Sequence, residues 1–318
     1  MSARIIAFAN QKGGVAKTTT TLSIAAALVE RRRRVLAVDM DPQGALTYSL
    51  GVDPDKLQET INDVLIRRIP VRNVVVEREV DLVPANIDLA GAEVVLLTKT
   101  GREYGLQRAL RDVEDDYDYI LIDCPPSLGI LTINGLTAAA EVLIPLQCEA
   151  LSHRGVGQLL DTLEDIRHFT NPDLKVVGLI PTLYDGRSRH TQNVLADVGE
   201  RYGVTVIYPP VKKSIKFAEA TQAGRSIMSY AGTHGGAEAY RAHARQLEEG
   251  IDPVPVTDLV APRREATSPD APPTDADTSE PKPVAQTDVD LDDERVDDAD
   301  EREPVHAAAP HGSSGETE

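Results

Sequence analysis

A short apolar run, RIIAFA at residues 4–9, leads through NQKGGVAK into TTTTLSIAAALVERR at residues 18–32, whose small and apolar residues recur at helical spacing. A glycine loop between a buried strand and a helix restricts the fold more than any other feature of this chain. Backbone N–H groups of such a loop and of the helix N-terminus converge on one locus, where the helix dipole favours negative charge. A polyphosphate is the natural guest. The common phosphate-loop pattern is Gly, four residues, then Gly-Lys-Ser/Thr, and here Gln11 and Ala16 occupy the two glycine positions while Lys17 and Thr18 are kept.

The rest of the chain continues the rhythm. Apolar runs RVLAVD, VDLVPA, YILIDC, EVLIPL, KVVGLIP and VTVIYPP alternate with segments of helical period. Because they lack polar alternation, they read as strands buried on both faces, in a doubly wound, mostly parallel sheet flanked by helices. Function is then expected in loops at the carboxyl ends of the strands. Helices are predicted over residues 155–170, 189–202 and 237–249, and GREYGLQRAL at residues 101–110 reads as another.

Charge divides the chain. Of 51 Asp+Glu and 33 Lys+Arg, residues 251–318 hold 19 and 5, together with ten of the 21 prolines and no aromatic residue. That composition cannot bury enough apolar surface to offset chain entropy, so an acidic, Pro-rich disordered tail is expected at 251–318 after a folded domain at 1–250. With the tail set aside the domain is nearly charge-balanced, and an anionic partner is compatible with it. Two cysteines, Cys124 and Cys148, are too few for a disulfide scaffold. No signal-like segment or apolar run of membrane-spanning length occurs, and a cytoplasmic protein is expected.

Three strand ends carry candidate chemistry. In the first, Lys12, Gly13, Gly14, Val15, Ala16, Lys17, Thr18 and Thr19 form the phosphate cradle, with Lys17 reaching β/γ oxygens, Thr18 ligating Mg2+ and Thr19 donating near the α-phosphate. VDMDPQG supplies Asp39 at a strand end, to support the magnesium shell through a water, and Asp41 in the loop, to orient an attacking water. YILIDCPPS supplies Asp123, an acid after an apolar strand in the position that holds magnesium in phosphate-loop enzymes. Their convergence points to nucleotide hydrolysis or switching.

KGGVAKTTT, VDMDPQG and YILIDCPPSLGILTINGL, in this order, resemble the ParA/MinD class of deviant Walker-type ATPases, and most of all chromosomal ParA (Soj-like) partition proteins. The resemblance runs from Arg4 to about Glu249. It implies ATP with Mg2+ and an ATP-dependent homodimer in which Lys12 reaches the phosphates of the partner's nucleotide, supplying positive charge in trans. It further implies non-specific DNA binding, a ParB-like partner or other cargo adaptor that stimulates hydrolysis, and nucleoid association in the ATP state; the acidic, Pro-rich tail lacks the basic amphipathic helix of a membrane anchor, so no stable membrane association is expected.

By the same resemblance, Arg187 and Arg189 in DGRSRHTQ, and Lys213 and Lys216 in PPVKKSIKFAEA, are the DNA-contact candidates, the two lysines standing where the family often has arginines. Lysine neutralises phosphate and releases counterions without arginine's bidentate fork. The plainer reading of these charges is a solvated basic face. Pro209 and Pro210 are implied to line the adenine. Ala16 departs from the family's glycine, and its methyl is tolerable at negative φ and excluded in the left-handed region. Competing readings are a MinD-like or other cargo-positioning ATPase, a redox ATPase sharing a cluster through its cysteines, and an interaction module with a dead site.

Overall fold

The computed structural model describes residues 2–149 and 152–250, the side chains at 152 and 153 excepted; the tail expected at 251–318 lies outside them. Among the described residues the sheet has six parallel strands: β1 Arg4–Phe8, β2 Val35–Asp39, β3 Asp81–Val83, β4 Tyr119–Asp123, β5 Glu141–Gln147 and β6 Lys175–Thr182, in the order β3-β2-β4-β1-β5-β6. The longer helices are α1 Lys17–Glu30, α2 Asp88–Leu97, α3 Ile130–Ala138, α4 Ser152–Phe169, α5 Arg189–Tyr202, α6 Ile215–Gln222 and α7 Gly235–Glu249.

Period-two geometry explains the two cores. On β1, Ala7 faces one side with Leu36, Val38, Ile120 and Ile122, under Leu89 and Leu96 of α2, Leu131 of α3 and Leu159 of α4. Ile6 and Phe8 face the other side with Ala37 and Leu121, under Leu22, Ile24 and Leu28 of α1 and Tyr240 of α7. Full burial of each such aliphatic side chain contributes about 1.5–3 kcal/mol, so strands apolar on both faces are committed to the sheet interior.

The strand order places function. From β1 the chain moves to β2 and β3 on one side, returns to insert β4 beside β1, and continues to β5 and β6 on the other side. The order reverses around β1, and at such a switch point a crevice opens outside the carboxyl ends of the strands. Register brings Phe8 opposite Asp123, and Asp39 opposite Asp123.

Two sequence expectations change. VTVIYPP does not become a strand: Val206 makes an isolated parallel bridge to Leu179, with Leu179 N–H donating to Thr205 O and Ile207 N–H to Leu179 O. Pro209 and Pro210 lack the N–H groups a ladder needs, which stops the pairing. Residues 101–110 split into a 3-10 turn, Arg102–Tyr104, and a helix beginning only at Gly105.

Candidate active site

The phosphate loop is shaped by two left-handed residues on alternate positions, Gly14 at φ 74° and Ala16 at φ 64°. Left-handed residues alternating along a loop turn successive N–H groups toward one concavity, the geometry of an anion nest. Ala16 is the residue preceding α1, with ψ 35°. The sequence reading excluded a methyl group in this region; the structure holds alanine there, a conformation that costs an L-residue about 1–2 kcal/mol. Surrounding contacts impose it: Thr20 N–H donates to Ala16 O at 2.9 Å, and Thr182 Oγ1 at the end of β6 donates to Val15 O at 2.8 Å.

Lys17, only 7% exposed, donates through Nζ to Lys12 O at 3.2 Å. Burial pulls its pKa below the ordinary lysine value, while Asp123, Cys124 and Asp41 oppose that. Thr18 Oγ1 donates to Asp123 Oδ2 at 2.6 Å, and Thr21 Oγ1, one turn on, stands 3.3 Å from Asp123 Oδ1. Burial, and after it the charge of Asp39, pushes the Asp123 carboxyl up to about 8, against the Thr18 hydrogen bond and Lys17. Thr19 is half-buried on the same first turn of α1.

The two acids of VDMDPQG separate into different environments. Asp39 is fully buried; its Oδ1 accepts from Asp41 N–H at 3.1 Å and its Oδ2 from Thr47 N–H at 2.9 Å and Thr47 Oγ1 at 2.7 Å. Burial raises its pKa to about 6 despite these donors. Its contacts fasten the loop that follows β2. Asp41 is half-buried; its Oδ1 accepts from Gln43 N–H at 2.9 Å, and Oδ2 has no hydrogen bond among the described residues. That oxygen is free to hold a water.

Lys12 has a fixed backbone and a half-buried side chain. Its N–H donates to Asn10 Oδ1 at 3.0 Å, and Asn10 is itself anchored by Nδ2 to Pro145 O at 2.7 Å. The Lys12 ammonium pairs with Glu149, just beyond β5. Asn10, Thr21, Thr182 and Glu149 were not singled out from sequence. Only Thr21 left a signal, lying four residues after Lys17 on the face that α1 turns to the sheet.

The remaining candidates lie on segments that follow β6 in the chain. Arg187, Lys212 and Lys213 line a cleft of about 710 Å³ with Tyr184 and Asp185, its two segments joined by a bridge between Tyr184 and Lys212. Arg189 opens α5 and is exposed. Arg187 pairs with Asp185 at 3.3 Å and Lys216 with Glu219 at 2.7 Å. Pro209 is exposed, and its carbonyl accepts from His243 Nε2 at 2.8 Å. Cys124 and Cys148 are buried and unpaired.

A six-stranded parallel sheet with a phosphate loop after its central strand and an acid at the end of the neighbouring strand defines a P-loop nucleoside triphosphatase. Comparison with known proteins agrees. Residues 3–176 match the family model described as an AAA domain. The chain is 48% identical over 249 residues to an uncharacterized protein of Mycobacterium tuberculosis, covering 77% of this chain and 78% of that one. It is 42% identical to the chromosome partitioning protein ParA of Myxococcus xanthus, over 77% and 87% of the two chains, and 40% identical to the sporulation initiation inhibitor protein Soj of Bacillus subtilis, over 77% and 98%.

Among solved structures, a Mycobacterium smegmatis protein described as cobyrinic acid a,c-diamide synthase, with bound ADP and magnesium, superposes with TM-score 0.70 at 52% identity, covering 78% of this chain and 94% of that one. The cell division ATPase MinD of Pyrococcus furiosus gives TM-score 0.62 at 26% identity, over 78% and 99%. The chain belongs to the ParA/MinD family of ATPases. Among the described residues no helix is long and apolar enough to cross a membrane.

Proposed function

We propose that this ATPase works as a partition-type nucleotide switch: ATP with Mg2+ closes a homodimer, the dimer binds DNA non-specifically, and a ParB-like partner or other cargo adaptor stimulates hydrolysis and release. The reading places the protein in the cytoplasm, on the nucleoid in its ATP state. The observation that carries it is Lys12, a second lysine in the phosphate loop whose backbone is fixed and whose ammonium pairs with Glu149, just beyond β5.

The residues present fit a divalent cation. Thr18 Oγ1 and Asp123 Oδ2 form a hard-oxygen pair at the foot of the loop, where Asp123 feels two further acids, Asp39 and Asp41, against one buried ammonium, Lys17. Burial and the neighbouring acids favour a proton on Asp123, whose pKa is pushed up to about 8, and a divalent cation at the same oxygens would take that proton's place. Thr18 and Asp123 would hold Mg2+, which neutralises charge on the β- and γ-phosphates. Lys17 and the N–H groups before α1 take up charge that develops as the γ-phosphoryl departs. Asp41, through its free oxygen, orients the water in line. Lys12 supplies the further positive charge to the partner's phosphates.

DNA binding is supported by Arg187, Arg189, Lys213 and Lys216 lying exposed in segments joined by the Tyr184–Lys212 bridge, each able to contact a phosphate. The test is DNA retention with ATP, with ADP and without nucleotide, alongside ATP turnover with and without DNA and a candidate partner. Retention only with ATP and joint stimulation of turnover support the switch; equal retention in all three states sinks the coupling. The likeness to a diamide synthase favours a second reading, in which ATP activates a carboxylic acid for amide formation. Turnover that proceeds without any carboxylic-acid acceptor rejects it, and flotation with anionic liposomes tests the MinD-like alternative.

A further inference from the structure

We infer that Glu149 is a positioning residue that holds Lys12 on its own subunit and thereby sets the ATP threshold for dimerisation; the inference rests on the switch reading above. Lys12 cannot relocate by moving its backbone, since its N–H is tied to Asn10 and its carbonyl accepts from Lys17. Only its side chain can swing. In this structure the ammonium is held by Glu149 Oε2, while Glu149 Oε1 accepts from Gln147, the last residue of β5. Gln147 thus aims the carboxylate at the lysine.

The pair sits where exchange is possible. Lys12 and Glu149 side chains are 34% and 52% exposed, so solvent screens their attraction. Exposed pairs of this kind change an equilibrium by a factor of about two to five. A polyphosphate from a second subunit brings several negative charges to compete with one carboxylate, and it wins without breaking any buried contact. Until then Glu149 neutralises the charge that the trans site needs. A two-fold dimer breaks two such pairs, so the cost enters the dimerisation constant twice.

The experiment compares the full chain with Glu149→Gln, which keeps shape and removes charge. ATP-dependent dimerisation is followed by analytical ultracentrifugation at low and high salt, and nucleotide affinity is measured below the dimerisation concentration to separate any effect on ATP itself. Glu149→Gln is expected to dimerise about 5-fold more tightly, the difference shrinking at high salt and vanishing in a Lys12→Ala background. Equal dimerisation of the two proteins, or the same gain in the Lys12→Ala background, overturns the inference alone. Absence of any ATP-dependent dimer in the unaltered chain overturns the switch reading, and the role of Glu149 with it.

Discussion

The hydroxyl of Tyr240 lies 2.9 Å from Thr20 Oγ1, both residues fully buried between α7 and α1. Thr20 is one turn into the helix that begins at the phosphate loop, so this bond fastens the last described helix to the element that positions the nucleotide. The same helix is tied to α1 further along by Arg241 to Glu30 at 2.7 Å and by Glu248 to Arg31 and Arg33. Tyr240→Phe keeps the ring against Phe217 and His243, at 6.0 and 5.6 Å between centroids, and leaves Thr20 without its buried partner. It is expected to destabilise by about 1 kcal/mol, read from urea unfolding. A double variant with Thr20→Val that costs the full sum of the single changes would show that the hydrogen bond contributes nothing.

Ala16→Gly removes strain at φ 64°. The relief is about 1–2 kcal/mol, and the larger conformational freedom of glycine in the unfolded chain takes back about 0.5–1 kcal/mol. A net gain of about 1 kcal/mol in unfolding free energy is expected. Turnover is expected to rise as well, because the N–H groups around residue 16 settle on phosphate without the constraint of a Cβ, while the oligomeric state stays the same. A variant less stable than the natural chain would mean that the αL conformation carries no strain here.

Much of this site was legible in the sequence, and the physical reasons are uneven. Lys17, Thr18 and Asp123 could be placed because an apolar strand followed by an acid, or by a glycine loop and a helix, is a local pattern. Helix α5 matches its predicted span, 189–202, since its apolar period and the Ser188 cap are local too. The contacts of Thr21 with Asp123, Thr182 with Val15 and Lys12 with Glu149 join residues more than 100 positions apart. They depend on which strand ends lie side by side, which only the sheet order decides. Residues 204–210 misled because β-branched content signals a strand while the two prolines that deny it a ladder lie at its end.

Asp39 and Asp41, two residues apart, should respond oppositely to the same change. Asp39→Asn keeps one acceptor oxygen and sets its amide N–H2 against either the Asp41 N–H or the Thr47 donors, and a buried donor facing a donor costs about 1–3 kcal/mol. The loop then loosens and the unfolding midpoint falls. Asp41→Asn loses only a half-exposed turn contact, so stability should hold within about 0.5 kcal/mol. Its turnover is expected to fall by about 100-fold or more, with ATP binding retained, leaving an ATP-loaded dimer on DNA. Thermal melts beside single-turnover hydrolysis check both; the reverse pattern would exchange the roles assigned to the two carboxylates.

His243 gives the pH prediction. Its Nε2–H donates to Pro209 O, while its Nδ1 is buried with no partner among the described residues. Burial pulls its pKa from the ordinary 6.5 to about 4, against the bond to Pro209. Between pH 6.5 and 4 the unfolded chain therefore binds a proton that the folded protein refuses, so this contribution is complete above pH 6.5 and is lost as pH falls, by up to about 1.4 kcal/mol per unit. Asp39 works in the opposite sense: its folded pKa is about 6, above the usual 3.8, so the folded state gains protons first and stability rises as pH falls between those values. Total stability mixes the two, and the comparison must isolate the histidine. His243→Gln retains a donor for Pro209 O and does not titrate, whereas Asp39 is the same in both proteins. Urea unfolding at pH 7, 6 and 5 should find the natural chain ahead at pH 7 and its advantage shrinking at each lower step; a constant difference would mean that His243 charges as readily in the folded protein as in the unfolded chain.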